Sequence, residues 1–342
     1  MHSRNLACPR NLRTSTLHGQ FRSWILVLLV MLVVPSFAMG SVWYVDNEVG
    51  QDSNSGLTAT LGTSASGPFR TIQRALNAAN IGDTIVLAKT SSPYRESLSF
   101  AGGKNSGLAS LPFRLIGNGS TLSGTMLTPA RKWELVEKNL FKFRPNHGAF
   151  QMLYLKDRPA KFQTLDFESL SQLQPRSWTL IKGNIYFRTD DNLLPDAYAL
   201  SHAYLQTGIT LYGVKNVSIE NLVIQGFWLD GVNAHDNVRN TQLIGVTSRG
   251  NGRSGVSVGG CSHLDINSCL LGDNQKTQLR TESVAKVRLI GSSLLDNATG
   301  PMIQKEGGTI TEVAAVDNNS VPANVETKAD PSDTTDPFGF SG

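Results

Sequence analysis

Cysteine is scarce, three in 342 residues. Three cysteines cannot staple a chain of this length, so a disulfide scaffold is excluded. Charge is also sparse. Asp, Glu, Lys and Arg make up 17% of the chain beside 40% hydrophobic residues, which excludes a chain that is disordered throughout. So little charge with 32 glycines argues against a coiled coil as well. No Walker loop, HExxH or CxxC string is present, so the familiar phosphate-binding and metal signatures are missing. The length admits one large or two ordinary domains with ample core.

The formal charge of +4 invites a nucleic-acid or acidic-membrane partner. Its location argues otherwise. Arg4, Arg10, Arg13 and Arg22 account for the whole excess, and the rest of the chain is balanced. We therefore expect no nucleic-acid partner. Those arginines precede the apolar run Trp24–Phe37, which is short for a span and carries Pro35 near its end; the small residues Ala38 and Gly40 follow. This is the three-part pattern of a secretory signal over residues 1–40, with an uncleaved anchor as the alternative. The expected product is secreted, periplasmic or at the cell surface, with no stable membrane span once the signal is cleaved. Cys8 lies upstream of the apolar run, so cleavage leaves no lipidated cysteine. Cys261 and Cys269 remain, either bridged outside the cell or as two free thiols.

Residues 42–45 read as a short strand, followed by a polar, turn-rich stretch. From Pro68 to Asn80, Phe69, Ile72, Leu76 and Ala79 recur at helical spacing, and Gly82 stops the pattern. The strand TIVLA (84–88) follows. The segment WYVD…DSNSG…GPFRTIQRALNAANIGDTIVLA…YRESL (43–98) resembles the N-terminal cap of secreted right-handed parallel β-helix proteins of the pectate-lyase type. Ser-Pro-Tyr at 92–94 replaces that family's usual Gly-Thr-Tyr. The resemblance implies a fold and leaves the activity open, because many activities share the cap. Independent physics agrees, since a solenoid has an open apolar end that needs a polar-backed cap.

The C-terminal half repeats. Ile219, Leu243, Ile266, Leu289 and Ile310 form one column, Leu222, Val246, Cys269, Ser292 and Val313 a second, and Val232, Val256, Leu279 and Met302 a third. Asn251, Asn274, Asn297 and Asn318 fall in register at a turn, where turn chemistry is the expected role. Coils of about 21–24 residues with short alternating strands predict an all-β right-handed parallel β-helix over 41–320, its clear coils spanning 205–320. Residues 128–200 break the rhythm with three hairpin-like units (133–143, 152–162 and 178–187), read as an antiparallel β insertion. Residues 321–342 lack periodicity and read as a disordered tail.

Adjacent coils of such a solenoid lie about 4.8 Å apart, so outward residues at equal coil positions form columns. If Val232, Val256 and Leu279 point inward, one outward column is Thr210, Asn233, Ser257 and Arg280. The next is Tyr212, His235, Gly259 and Glu282, and a turn column carries Leu229, Arg253 and Lys276. Trp228 edges the patch, and Asp230 and Asp236 flank it. Stacked Arg and Lys repel unless an anion or carboxylates sit between them. An extracellular acidic polysaccharide would satisfy that.

The resemblance implies an activity in keeping with this, since the family includes lyases acting on uronate-containing polysaccharides. Such elimination needs a base, and a cation against the substrate carboxylate. His235, Tyr212, Lys276 and Arg280 are the candidate catalytic residues; Asn233, Arg253, Trp228 and Glu282 are candidate substrate contacts. Asp230 and Asp236, with Glu282, could instead hold a Ca²⁺ ion. The competing readings are a solvated, charge-paired solenoid face, a non-catalytic polysaccharide-binding or envelope-surface protein, and a hydrolase or epimerase on the same groove. The aspartate motifs of β-helix polygalacturonases are absent.

Overall fold

A computed structural model describes residues 40–296 and 300–313. The expected signal segment, except Gly40, the expected tail, and Asn297 and Asn318 lie outside the described residues. Among the described residues no helix is long and apolar enough to cross a membrane.

The chain opens with a capping unit whose acidic side chains accept from backbone N–H groups. The helix Ile72–Ala78 buries Ile72, Ala75 and Leu76 and starts at Thr71, whose side chain accepts from the Arg74 N–H. The Asp52 carboxylate accepts from the Arg70 and Thr71 N–H groups at 3.0 and 2.9 Å. Glu96, arriving from the next coil, accepts from Ile72 and Gln73 at 2.9 Å each. The unpaired donors of the helix start are therefore satisfied by carboxylates, which also suit its dipole. Asp83 accepts from the Ser41 N–H at 2.7 Å, the Trp43 indole at 2.9 Å and the Asn80 N–H at 2.8 Å. The acidic residues of the cap-like segment are thus hydrogen-bonding fixtures.

Beyond the cap the chain winds into a parallel β-helix, as the sequence predicts. Each full coil contributes up to three strands. The first face stacks Leu98–Ala101, Ile209–Tyr212, Asp230–His235, Ser254–Val258 and the starts of Thr277–Ile290 and Ile303–Val313. The second face stacks Val42–Val45, Thr84–Leu87, the start of Phe113–Ser123, the start of Lys215–Gln225, Arg239–Ile244, His263–Asn267 and the ends of the last two long strands. A short third face carries Thr247–Arg249, Leu270–Gly272 and Ser293–Leu294. Ile219, Leu243, Ile266 and Leu289 do stack inward, as do Val232, Val256 and Leu279. Burying each such side chain is worth about 1.5–3 kcal/mol.

The last coil differs from the sequence reading. Leu279 faces Ile303, not Met302, and Leu289 faces Glu312 while Ile310 faces Val287. Val313 faces Ile290, outside the column assigned to it. A bulge between Ser283 and Lys286 shifts the register, with Gly307 and Gly308 opposite at φ 142° and 72°. A one-residue slip of this kind is invisible to column counting.

The Asn column is structural, at least for its two described members. The Asn274 Oδ1 accepts from the Asn251 N–H and side-chain amide, both at 2.9 Å, and Asn274 donates to Gln278 Oε1 at 2.7 Å. This ladder explains why Gly231 and Gly255 precede the inward Val232 and Val256. A Cβ on Gly255 would lie 2.6 Å from Asn274 Nδ2 and 2.8 Å from the Gln278 carbonyl. A Gly255→Ala protein should lose about 1–3 kcal/mol of stability from this overpacking. Urea denaturation would check it, and an unchanged midpoint would show that the ladder yields.

The insertion forms two antiparallel sheets. One orders Lys161–Phe162, Ser177–Ile181, Asn184–Arg188, Leu140–Phe143 and Glu134–Glu137. The other orders Thr125–Leu127, Leu200–Ala203, Leu153–Leu155 and Arg158–Pro159. The hairpins at 133–143 and 178–187 match expectation. The middle unit also closes as a hairpin, Leu153–Leu155 against Arg158–Pro159, but a short one. Its end, Lys161–Phe162, leaves to pair in parallel with Ser177–Ile181, because the Trp178 indole donates to the Ala160 carbonyl and Phe162 packs edge-on against that ring. Trp133, Phe143, Trp178, Phe187 and Tyr198 build a core separate from that of the solenoid. The two cores meet where the Tyr154 hydroxyl donates to the Gly250 carbonyl at 2.6 Å, and burial raises the pKa of that phenol. Cys261 is exposed, Cys269 is buried, and both are free thiols.

Candidate functional site

The first face presents the expected outward columns. Thr210, Asn233, Ser257, Arg280 and Gln304 are successive register partners. Tyr212 faces His235, and Glu282 faces Glu306. Arg253 and Lys276 stack at the preceding turn, where the Lys276 N–H donates to the Arg253 carbonyl at 3.2 Å. The structure nevertheless separates these residues into two groups.

The first group lines a cleft of about 470 Å³ made by Arg253, Lys276, Arg280, Gln304, Glu306 and Phe150, with Gly300 and Pro301 at its edge. Arg280 is mostly buried and engages both Glu282 and Glu306, and Gln304 donates to Glu306 at 2.6 Å. Its charge is thus met by two carboxylates of the protein. Arg253 forms a bidentate pair with Asp230, at 2.9 and 2.6 Å. Lys276 is exposed and has no carboxylate partner among the described residues. It is the cation here that a ligand would meet without first displacing a carboxylate.

The second group is Tyr212, His235 and Asp236, farther along the strands. The Tyr212 and His235 rings meet edge-on at 5.1 Å between centroids, and His235 Nδ1 lies 3.5 Å from Asp236 Oδ1. A hydrogen bond to Asp236, and then that carboxylate's charge, raises the Tyr212 pKa. The phenol therefore holds its proton and is a poor base. Neither Tyr212 nor His235 lines the cleft.

Three expected roles change. Asp230 is fully buried, and its two oxygens accept from Arg253 (twice), Ser254 at 2.6 Å and Asn233 at 3.1 Å. Such a saturated carboxylate has no lone pair directed at a metal. Asp236 stands with His235 instead, and no group of His, Cys, Asp or Glu able to hold a metal is found among the described residues. The expected Ca²⁺ site does not fit these side chains. Asn233, expected to contact substrate, turns its amide to Asp230 and helps hold the buried pair. Trp228, a candidate substrate contact in the sequence, is half-buried and stacks on His147 at 4.6 Å and 17°.

The insertion supplies what the repeat pattern could not. The loop bearing His147 and Phe150 is closed by fully buried Gln151, whose Nε2 donates to the His147 carbonyl at 2.5 Å. Phe150 packs over Gly252, where a Cβ would sit 3.1 Å from its own. No periodicity in residues 144–151 signals this docking. Gln304 and Glu306 were out of reach of the sequence, because the register that aligns Met302 with Leu279 carries the Arg280 and Glu282 columns to Ile303 and Lys305 instead.

No protein-family model matches the chain, and no curated protein matches it in sequence. Solved structures do match in fold. XylC in complex with xylose aligns at a TM-score of 0.52 and 12% identity, covering 78% of this chain and 60% of that one. A glycoside hydrolase aligns at 0.51 and 10%, covering 72% of each chain. The pectate lyase Pel9A aligns at 0.39 and 13%, covering 75% of this chain and 54% of that one. This chain therefore spans only part of the XylC protein. At such identities the likeness speaks for the fold.

Proposed function

We propose that the chain is an exported, carbohydrate-active protein that binds an acidic, uronate-containing polysaccharide in the Arg253–Lys276–Arg280 cleft and cleaves it by β-elimination. The observation that carries this reading is Lys276. It is an exposed ammonium without a carboxylate partner among the described residues, in a cleft walled by Phe150 on a β-helix face. An aromatic ring beside a cation suits a sugar's apolar face and its carboxylate together. The glycoside hydrolase and the xylose complex among the fold neighbours support a sugar as ligand.

In the elimination, a base removes the proton beside the uronate carboxylate. The released electron pair forms the ring double bond as the bond to the glycosidic oxygen breaks, and that oxygen takes up a proton. Lys276, with Arg253 beside it, offsets the charge that develops on the carboxylate. Lys276 in its charged form cannot also take the proton, so His235 of the neighbouring group is the candidate base, and separate alanine variants of the two assign the roles. Polygalacturonate, alginate and chondroitin sulfate should be incubated with the full chain and the ultraviolet absorbance of unsaturated uronate followed. We expect product from one of them, and Lys276→Ala should lower turnover about 10²-fold or more. Absence of unsaturated product from all three would overturn the elimination.

One observation favours a second reading. Glu282 and Glu306 are register partners on adjacent coils and share Arg280. The coil spacing of about 4.8 Å approaches the separation of paired carboxylates in retaining glycosidases. New reducing ends without the double bond would select hydrolysis.

A further inference from the structure

The second face of the solenoid carries a groove that the proposed activity does not use. Its outward residues form two columns. Asn216, Asn240, His263, Lys286 and Thr309 occupy one, in register from coil to coil. Gln242, Asp265, Arg288 and Thr311 occupy the other. A hollow of about 340 Å³ lies along them.

The charge in this groove is unbalanced. Arg288 pairs with Asp265 at 3.1 Å. Among the described residues Arg239 meets no carboxylate; it donates to Asn237 at 2.7 Å and lies 3.0 and 3.2 Å from the two ring nitrogens of His263. Lys286, the register partner of His263, is exposed and forms no ion pair among the described residues. Lys215, the register partner of Arg239, is likewise exposed and outside every such pair. Burial, and then the charges of Arg239 and Lys286, hold His263 below the usual imidazole range. Lys215 and Arg239 therefore lie on adjacent coils, about 4.8 Å apart, with Lys286 two coils beyond Arg239, an arrangement that repels itself unless an anion is shared.

We infer that this second groove binds a linear acidic polysaccharide running across the coils, as a docking site separate from the cleft of the first face. A polymer with an acidic group on every sugar can meet cations spread along several coils, as Lys215, Arg239 and Lys286 are. Hydroxyl and amide side chains between the cations, Asn240, Thr309 and Thr311, match sugar hydroxyls. The groove lining holds no Phe, Tyr or Trp ring on which a base could stack, which disfavours a single-stranded nucleic acid.

The test measures binding and is independent of turnover. Every protein carries Lys276→Ala, to weaken the contribution of the first-face cleft. Titration calorimetry would then follow polygalacturonate, heparin, an uncharged glucan and a single-stranded oligodeoxynucleotide. Polygalacturonate or heparin should bind, and which one does separates carboxylate from sulfate as the anion. Arg239→Ala with Lys286→Ala should weaken that binding roughly tenfold or more and flatten its salt dependence. Thr309→Asp keeps every cation and places a carboxylate in the groove, so it should weaken binding similarly. A melting curve unchanged from the parent shows that each variant is folded, and either variant is sufficient alone. Binding of both polyanions that is absent, or that neither variant alters, would overturn the inference. Tighter binding of the oligodeoxynucleotide, or equal binding of the glucan, would overturn it too.

Discussion

Arg253→Ala should destabilise the protein by about 3–5 kcal/mol, far more than its place on a sugar-binding face suggests. The reason is Asp230. That carboxylate is completely buried, and Arg253 supplies two of its four hydrogen bonds. Removing the guanidinium leaves a charge in the coil interior with only Ser254 and Asn233 as donors. A buried pair is worth little compared with apolar residues of equal volume, yet breaking one side of it is costly. The double replacement Asp230→Leu with Arg253→Met should therefore recover much of the loss. Equilibrium urea denaturation of the two proteins checks both statements. A loss below about 1 kcal/mol for Arg253→Ala would mean that water reaches Asp230 and that the pair behaves as a surface one.

The second large effect is an acid-sensitive anchor in the insertion. His202 is buried at the base of the insertion, Thr128 Oγ1 lies 2.8 Å from its Nδ1, and Phe143 packs edge-on against its ring. Burial, and then the charge of Lys132, pushes its pKa down to about 4 from an ordinary 6.5. The unfolded chain thus binds a proton that the folded chain refuses between those two values. Stability from this site is fully present above pH 6.5, falls as pH drops toward 4, and levels off below. The whole decline amounts to roughly 3 kcal/mol. Denaturation at intervals from pH 7 to pH 4 should show it in the wild type, and a His202→Gln protein should lack it. Parallel pH profiles for the two proteins would show that His202 does not set the acid sensitivity.

The cap and the inward columns were legible because both are local or periodic. The cap is read from residues 43–98 as they follow one another, and its acidic residues bond to nearby backbone. The columns from Ile219 to Leu289 and from Val232 to Leu279 repeat at nearly constant spacing. Legibility stopped at the last coil, where Ile303 rather than Met302 stands opposite Leu279 and the bulge after Ser283 then shifts the register once more. The site was legible as a set of neighbours and much less as a set of roles. Arg253, Lys276 and Arg280 do share a cleft, but Tyr212 and His235 stand outside it. Nothing in the spacing shows that Asp230 and Asn233 turn toward Arg253 rather than toward a ligand, because burial at a coil corner depends on the neighbouring coil. Phe150 and His147 lay beyond sequence reasoning for a different reason. Their contacts join two cores that have no common period.

The insertion also bears on the order in which the chain folds. Neighbouring coils elsewhere join residues close in sequence, as when Arg288 reaches back to Asp265 across 23 positions. Arg114 must find Glu220 across 106. The paired strands Thr125–Leu127 and Leu200–Ala203 shorten that search, since closing them brings the two ends of the insertion together before the coils meet. The long-range step of folding is thus the union of the capped first coils with the C-terminal stack, and the foot of the insertion acts as its splint. Substitutions there should slow folding, whereas substitutions between C-terminal coils should mainly hasten unfolding.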